Sequence, residues 1–178
     1  SYVIKWHNES WGMGGLIPAG PPWNMVGPFN FDGDGFGDFI VSSSYAGEYC
    51  NGVYHYEAAG NDSIELKWVY TFYDLSCSYD AYSSVAVGDI DGDGKHEIYF
   101  GVPPAAGSND DTWGTYIFEQ GADGTFPAVA THLLRYGMET ADNFRPAGYA
   151  MADIDGDGVD DIADFIGLAP DMGAYEFG

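Results

Sequence analysis

Apolar residues recur along this chain in short runs separated by glycine, proline and acidic positions, and no stretch sustains a helical period. Three runs open on glycine and carry aromatics two residues apart: Gly52-Val53-Tyr54-His55-Tyr56-Glu57, Gly114-Thr115-Tyr116-Ile117-Phe118-Glu119 and Gly173-Ala174-Tyr175-Glu176-Phe177. Residues two apart share one face of a strand, so each run predicts a strand with an aromatic face. A shorter apolar strand is expected before each, at Phe39 to Ser42, Ile98 to Val102 and Ile162 to Ile166, and another before that, at Met25 to Phe29, Ser84 to Gly88 and Ala147 to Ala152. A fourth set lies further upstream. Tyr2-Val3-Ile4-Lys5-Trp6 is echoed by Ile64-Glu65-Leu66-Lys67-Trp68, with Val129 to Tyr136 in the third unit. The pattern predicts an all-β chain, one domain over 1–178 built of units at about 1–58, 64–120 and 128–178 with four strands each, and a linker-like segment over 12–22.

An acidic turn stands at the same place in every unit. Asp89-Ile90-Asp91-Gly92-Asp93-Gly94-Lys95-His96-Glu97 is nearly copied by Asp153-Ile154-Asp155-Gly156-Asp157-Gly158-Val159-Asp160-Asp161, and more loosely by Asn30-Phe31-Asp32-Gly33-Asp34-Gly35-Phe36-Gly37-Asp38. Oxygen-bearing side chains occupy positions one, three, five and nine, and glycine occupies position six. A hard cation such as calcium takes about six to eight oxygens at roughly 2.3–2.6 Å, so several carboxylates must converge from a short, sharply turning backbone. The seventh residue (Phe36, Lys95, Val159) can add its carbonyl, and the glycine permits the turn. Magnesium fits less well, because it demands strict octahedral geometry and retains its waters. An EF-hand is excluded: it needs a bidentate Glu at position twelve and flanking helices, whereas position twelve is Val41, Phe100 and Asp164, and Ile98 to Val102 reads as a buried strand.

With a Val-Gly-Asp or Met-Ala-Asp entry and an apolar exit strand, these turns resemble FG-GAP repeats of the VCBS-like type, the calcium-loop blades of β-propellers such as integrin α-subunit heads. The resemblance covers nearly the whole chain. It implies three four-stranded propeller-like blades, each with a calcium loop between its first two strands, and about three calcium ions. The implied ligands are Asn30, Asp32, Asp34, Asp38 and the carbonyl of Phe36; Asp89, Asp91, Asp93, Glu97 and the carbonyl of Lys95; Asp153, Asp155, Asp157, Asp161 and the carbonyl of Val159. Asn30 replaces an acid and Gly37 adds slack, so the first site is expected to be the weakest. Propellers close with about four to eight blades, and this chain has three units. An unfinished blade leaves an edge that something must cover. Tyr2 to Trp6 can close the last blade within the chain, or complete a neighbouring copy head to tail and give a ring or a fibre. The chain can also be a piece of a longer propeller.

Composition narrows the function classes. With 28 acids against five Lys and Arg, the formal charge is −23, which argues against nucleic acid or an anionic membrane as partner and suits a calcium-rich exterior. Three divalent ions would remove about six of those charges. No apolar run reaches the ~20 residues of a membrane span, no signal peptide is visible, and the chain opens on Ser1, which is read as a mature form. Cys50 and Cys77 are the only cysteines and are expected to form a disulfide. Asn8 and Asn61 fit the glycosylation triplet. Trp11, Trp23 and Trp113 lie in glycine- and proline-rich connections, where they either plug blade ends or serve as exposed anchors for a sugar or a protein. His7, His55, His96 and His132 form no metal pair and flank no nucleophile motif. The expected function is a non-catalytic, extracellular or cell-surface structural or adhesive module, stabilised by calcium and joined to copies of itself. The alternative is a carbohydrate- or protein-binding propeller module.

Overall fold

The computed structural model describes residues 22–43, 52–60, 63–71, 84–102, 113–135, 146–153, 156 and 158–166. Every regular element among them is a strand. Strands β1 (Pro22–Phe29), β2 (Asp38–Ser43), β3 (Gly52–Ala58) and β4 (Ile64–Thr71) form one antiparallel sheet in chain order. Strands β5 (Ser84–Gly88), β6 (Glu97–Val102), β7 (Gly114–Glu119) and β8 (His132–Leu134) form a second sheet of the same order. Strands β9 (Pro146–Ala152) and β10 (Asp161–Ile166) pair antiparallel in a third. The sheets are offset by one strand from the units read along the sequence. Ile64–Thr71, which resembles the start of the second unit, hydrogen-bonds to β3 and completes the first sheet.

The three sheets follow one another with a repeated step. Strand β5 packs on β1 and β2, and β9 packs on β5 and β6. Asn24 Nδ2 donates to the Val85 carbonyl at 3.1 Å between the first two sheets, and the Thr115 and Tyr149 hydroxyls meet at 2.6 Å between the second and third. One apolar core joins the first two sheets, taking Ile40 and Val53 from one side and Val85, Ile98, Phe100 and Phe118 from the other.

The aromatic alternation shows why the sheets stack. Tyr54 and Tyr56 stack on one face of β3, with ring centroids 6.3 Å apart. Their counterparts in β7, Tyr116 and Phe118, turn toward the first sheet, where Tyr70 lies 6.0 Å from Tyr116 and Trp68 lies 5.0 Å from Phe118. The residue before them, Thr115, faces the third sheet. A strand covered on both sides must be apolar on both faces, and β5 and β6 are buried along their whole length.

Candidate metal centre

Each acidic turn is fixed by its own side chains. In the first loop Asp34 N–H donates to Asp32 Oδ1 at 3.1 Å and Phe36 N–H to Asp34 Oδ1 at 2.7 Å. In the second, Asp93 N–H donates to Asp91 Oδ1 at 3.0 Å and Lys95 N–H to Asp93 Oδ1 at 2.9 Å. The sixth-position N–H reaches back to the first residue in all three loops: Gly35 to Asn30 Oδ1 at 3.3 Å, Gly94 to Asp89 Oδ2 at 2.8 Å and Gly158 to Asp153 Oδ2 at 3.0 Å. Such side-chain-to-backbone bonds wind the turn so that alternate carboxylates face inward. The fourth and sixth positions are glycines at positive φ, 70° and 85° at Gly92 and Gly94, a region that residues with a Cβ enter only at a cost.

The strands set the frame. The ninth residue pairs with the residue preceding the loop in every case, Asp38 with Phe29, Glu97 with Gly88 and Asp161 with Ala152. In the second loop, ligand atoms of Asp89, Asp91, Asp93 and Glu97 all lie within 4.8 Å of one another. Glu97 Oε2 accepts from Ile90 N–H at 2.9 Å, but Glu97 Oε1 and Asp89 Oδ1 are buried and have no hydrogen-bond partner. Leaving a buried carboxylate oxygen bare is costly, and a hard cation between them would satisfy both, so the residues fit calcium. Burial pushes the Glu97 carboxyl up to about 7, with Asp91, Asp89 and Asp93 adding to the rise against the Ile90 N–H. The Lys95 ammonium lies on Asp93 Oδ2 and 3.2 Å from Glu119 Oε1, holding the Asp93 carboxyl below its usual range.

The first loop is different. Asp32, Asp34 and Glu57 bring ligand atoms within 4.8 Å of one another, and Asp38 is absent from that group. Asp38 instead accepts Phe31 N–H at 2.7 Å through Oδ2 and meets His55 Nε2 at 2.7 Å through Oδ1. Glu57 comes from β3, opposite Asp38 in the ladder, and bonds Lys67 Nζ at 2.8 Å.

Residues 30–100 match a family model described as an FG-GAP-like repeat. This stretch is similar to an FG-GAP-like repeat. It runs from the head of the first loop, through β2 to β5, to β6 beyond the second loop, so the match takes in both loops whose geometry is given above. No curated protein and no solved structure matches the chain significantly.

Around the FG-GAP-like repeat the other expected residues divide into three groups. Asp153 accepts from Gly156 and Gly158 N–H in the third loop, whereas Asp155, Asp157 and the side chain of Asp161 lie outside the described residues. Cys50, Cys77, Asn8, Asn61, Trp11, the side chain of Trp23 and the strands at Tyr2 to Trp6 and Ala174 to Phe177 lie outside them too. Of the two readings of Trp113, burial favours the plug over the open anchor: it is 6% exposed, the Arg135 guanidinium lies over its ring at 5.2 Å, and Arg135 Nε–H donates to its carbonyl at 3.1 Å. Asp38, expected as a ligand, is hydrogen-bonded to Phe31 N–H and His55 Nε2 and lies outside the Asp32, Asp34 and Glu57 group. Sequence reasoning missed Glu57 and His55, since only the β2–β3 register brings them to the loop. It also passed over the fourth-position glycines, although Gly33, Gly92 and Gly156 were visible at equal spacing.

His96 and Gln120 were missed as a bridge. His96 lies edge-on to Phe29 and Phe31, with centroids at 5.8 and 5.2 Å, and its N–H donates to Gln120 Oε1 at 3.2 Å while Gln120 Nε2 donates to the Phe31 carbonyl at 2.6 Å. The eighth residue of the second loop is thereby tied to the first loop. The eighth residue of the third loop repeats the device: Asp160 N–H donates to the Asp89 carbonyl, and Asp89 N–H donates to Asp160 Oδ2, both at 3.2 Å.

Proposed function

We propose that this chain is an extracellular, non-catalytic structural or adhesive module in which calcium pins loops between stacked, propeller-like sheets, and in which copies join head to tail. The observation that carries it is the pair of bare, buried oxygens on Glu97 and Asp89, set among Asp91 and Asp93. Asp89, Asp91, Asp93 and Glu97 would hold the ion at the second loop, and Asp153 with Asp155, Asp157 and Asp161 at the third. A bound calcium supplies charge neutralisation and a cross-link between strands there, with no reaction. FG-GAP-like repeats usually occur in extracellular or surface proteins and are typically non-catalytic. No helix among the described residues is long and apolar enough to cross a membrane.

The assembly rests on β4. Ile64–Thr71 is the outermost strand of the first sheet, and Tyr2 to Trp6 echoes its sequence, so Tyr2 to Trp6 is suited to the outer position of a sheet. In our reading that sheet is the third one of a neighbouring copy, joined by strand complementation. Burial of Trp113 removes one of the three tryptophans on which a sugar-binding alternative relied.

Equilibrium dialysis should find calcium retained by the intact chain, and light scattering should find particles larger than one chain that shrink when residues 1–8 are deleted or calcium is chelated. Uniform single chains before and after truncation would refute the head-to-tail contact, and no retained calcium would refute the loop reading.

A further inference from the structure

We infer that His55 takes the place of a cation at the ninth position of the first loop, so that this loop closes without metal while the second depends on it. The inference rests on the calcium reading above and divides its loops into two kinds.

Both loops begin in the same way. One carboxylate oxygen of the ninth residue accepts the N–H of the second residue, Phe31 to Asp38 Oδ2 at 2.7 Å and Ile90 to Glu97 Oε2 at 2.9 Å. They part at the other oxygen. Glu97 Oε1 is buried and bare, whereas Asp38 Oδ1 meets His55 Nε2 at 2.7 Å. A carboxylate only accepts, so Nε2 carries the hydrogen.

The register explains why the histidine appears in one sheet and not in the other. His55 stands opposite Ile40, two residues in from Asp38. The matching place in the second sheet, opposite Tyr99 and two residues in from Glu97, is Ile117, whose side chain offers no hydrogen bond.

This closure resists exchange. Asp38 is 1% and His55 4% exposed, so turning Asp38 toward an ion would leave the imidazole N–H buried without a partner. Phe31 and Phe126 hold the ring edge-on, with centroids at 5.1 and 5.8 Å, so His55 cannot follow the carboxylate. The lysines do not separate the two loops, since Lys67 on Glu57 and Lys95 on Asp93 and Glu119 give each one tethered ammonium.

The test is calcium titration calorimetry on the full chain and on Asp38→Asn, Glu97→Gln and His55→Ile, the last installing the residue type of the second sheet. Glu97→Gln should abolish one tight binding event, and Asp38→Asn should leave the tight events unchanged in number and affinity. His55→Ile should free Asp38 and tighten the first loop by about tenfold or more, the worth of one added charged ligand. Loss of a tight event in Asp38→Asn would overturn the inference while leaving the calcium reading intact; absence of any binding by the unaltered chain would overturn both. Should the buried substitutions prevent folding, the nitrogen resonances of the His55 ring in the unaltered protein decide. They should stay fixed through calcium saturation, and movement in step with binding would refute the proposal.

Discussion

Gly94 has φ +85° and open space where a Cβ would stand, so Gly94→Ala carries only the left-handed backbone cost, about 1–2 kcal/mol. Gly124 has φ +82°, and a Cβ there would meet Asp32 Cβ at 2.9 Å and the Phe31 carbonyl oxygen at 3.0 Å. Gly124→Ala should therefore lower stability more than Gly94→Ala in urea unfolding, and equal losses would contradict the close contact across to the first loop. Glu97 makes a second residue-level test. A carboxyl held at about 7 in the fold keeps a proton that the unfolded chain releases near the ordinary value of 4.5. Between those values the ion-free fold loses stability from this group as pH rises. Calcium has to displace that proton, so affinity at the second loop should increase with pH up to about 7 and level off above it. Titrations at about pH 5.5 and about pH 8 should differ by roughly tenfold or more, and equal affinities would remove Glu97 from the ligand set.

Strands and loops were legible in the sequence because both are local patterns. The glycine-led runs with aromatics two apart became β3 and β7, and the acidic spacing became turns whose sixth N–H meets the first side chain. Pairing is not local. The echo of Tyr2 to Trp6 in Ile64 to Trp68 marked a strand suited to finishing a blade, but its pairing partner, β3 of the preceding sheet, is set by which edge is open when it arrives. For the same reason Glu57 and His55 could not be placed beside the first loop, and Arg135 could not be seen over Trp113. The links between loops belong to this scale. Asp160→Ala removes the acceptor of Asp89 N–H, one hydrogen bond worth about 0.5–1.5 kcal/mol. Calcium affinity at the second loop should fall by about two- to tenfold, and an unchanged titration would mean that the third loop does not steady the second.

At the scale of the whole chain, the −23 charge makes the ion-free state a crowded set of carboxylates, and stacking ties the second acidic turn to the first through Gln120 and to the third directly through Asp160. Ions bound only by the fold stabilise it by mass action, about 1.4 kcal/mol for each site at roughly ten times its dissociation constant. Monovalent salt can screen the general repulsion but cannot satisfy the two bare oxygens of Glu97 and Asp89. The decisive measurement is thermal unfolding in calcium and in chelator at one ionic strength, with a sodium chloride series beside it. The account predicts a melting temperature well above the chelated value in calcium, which sodium chloride does not restore. Coincident melts in calcium and chelator would contradict it.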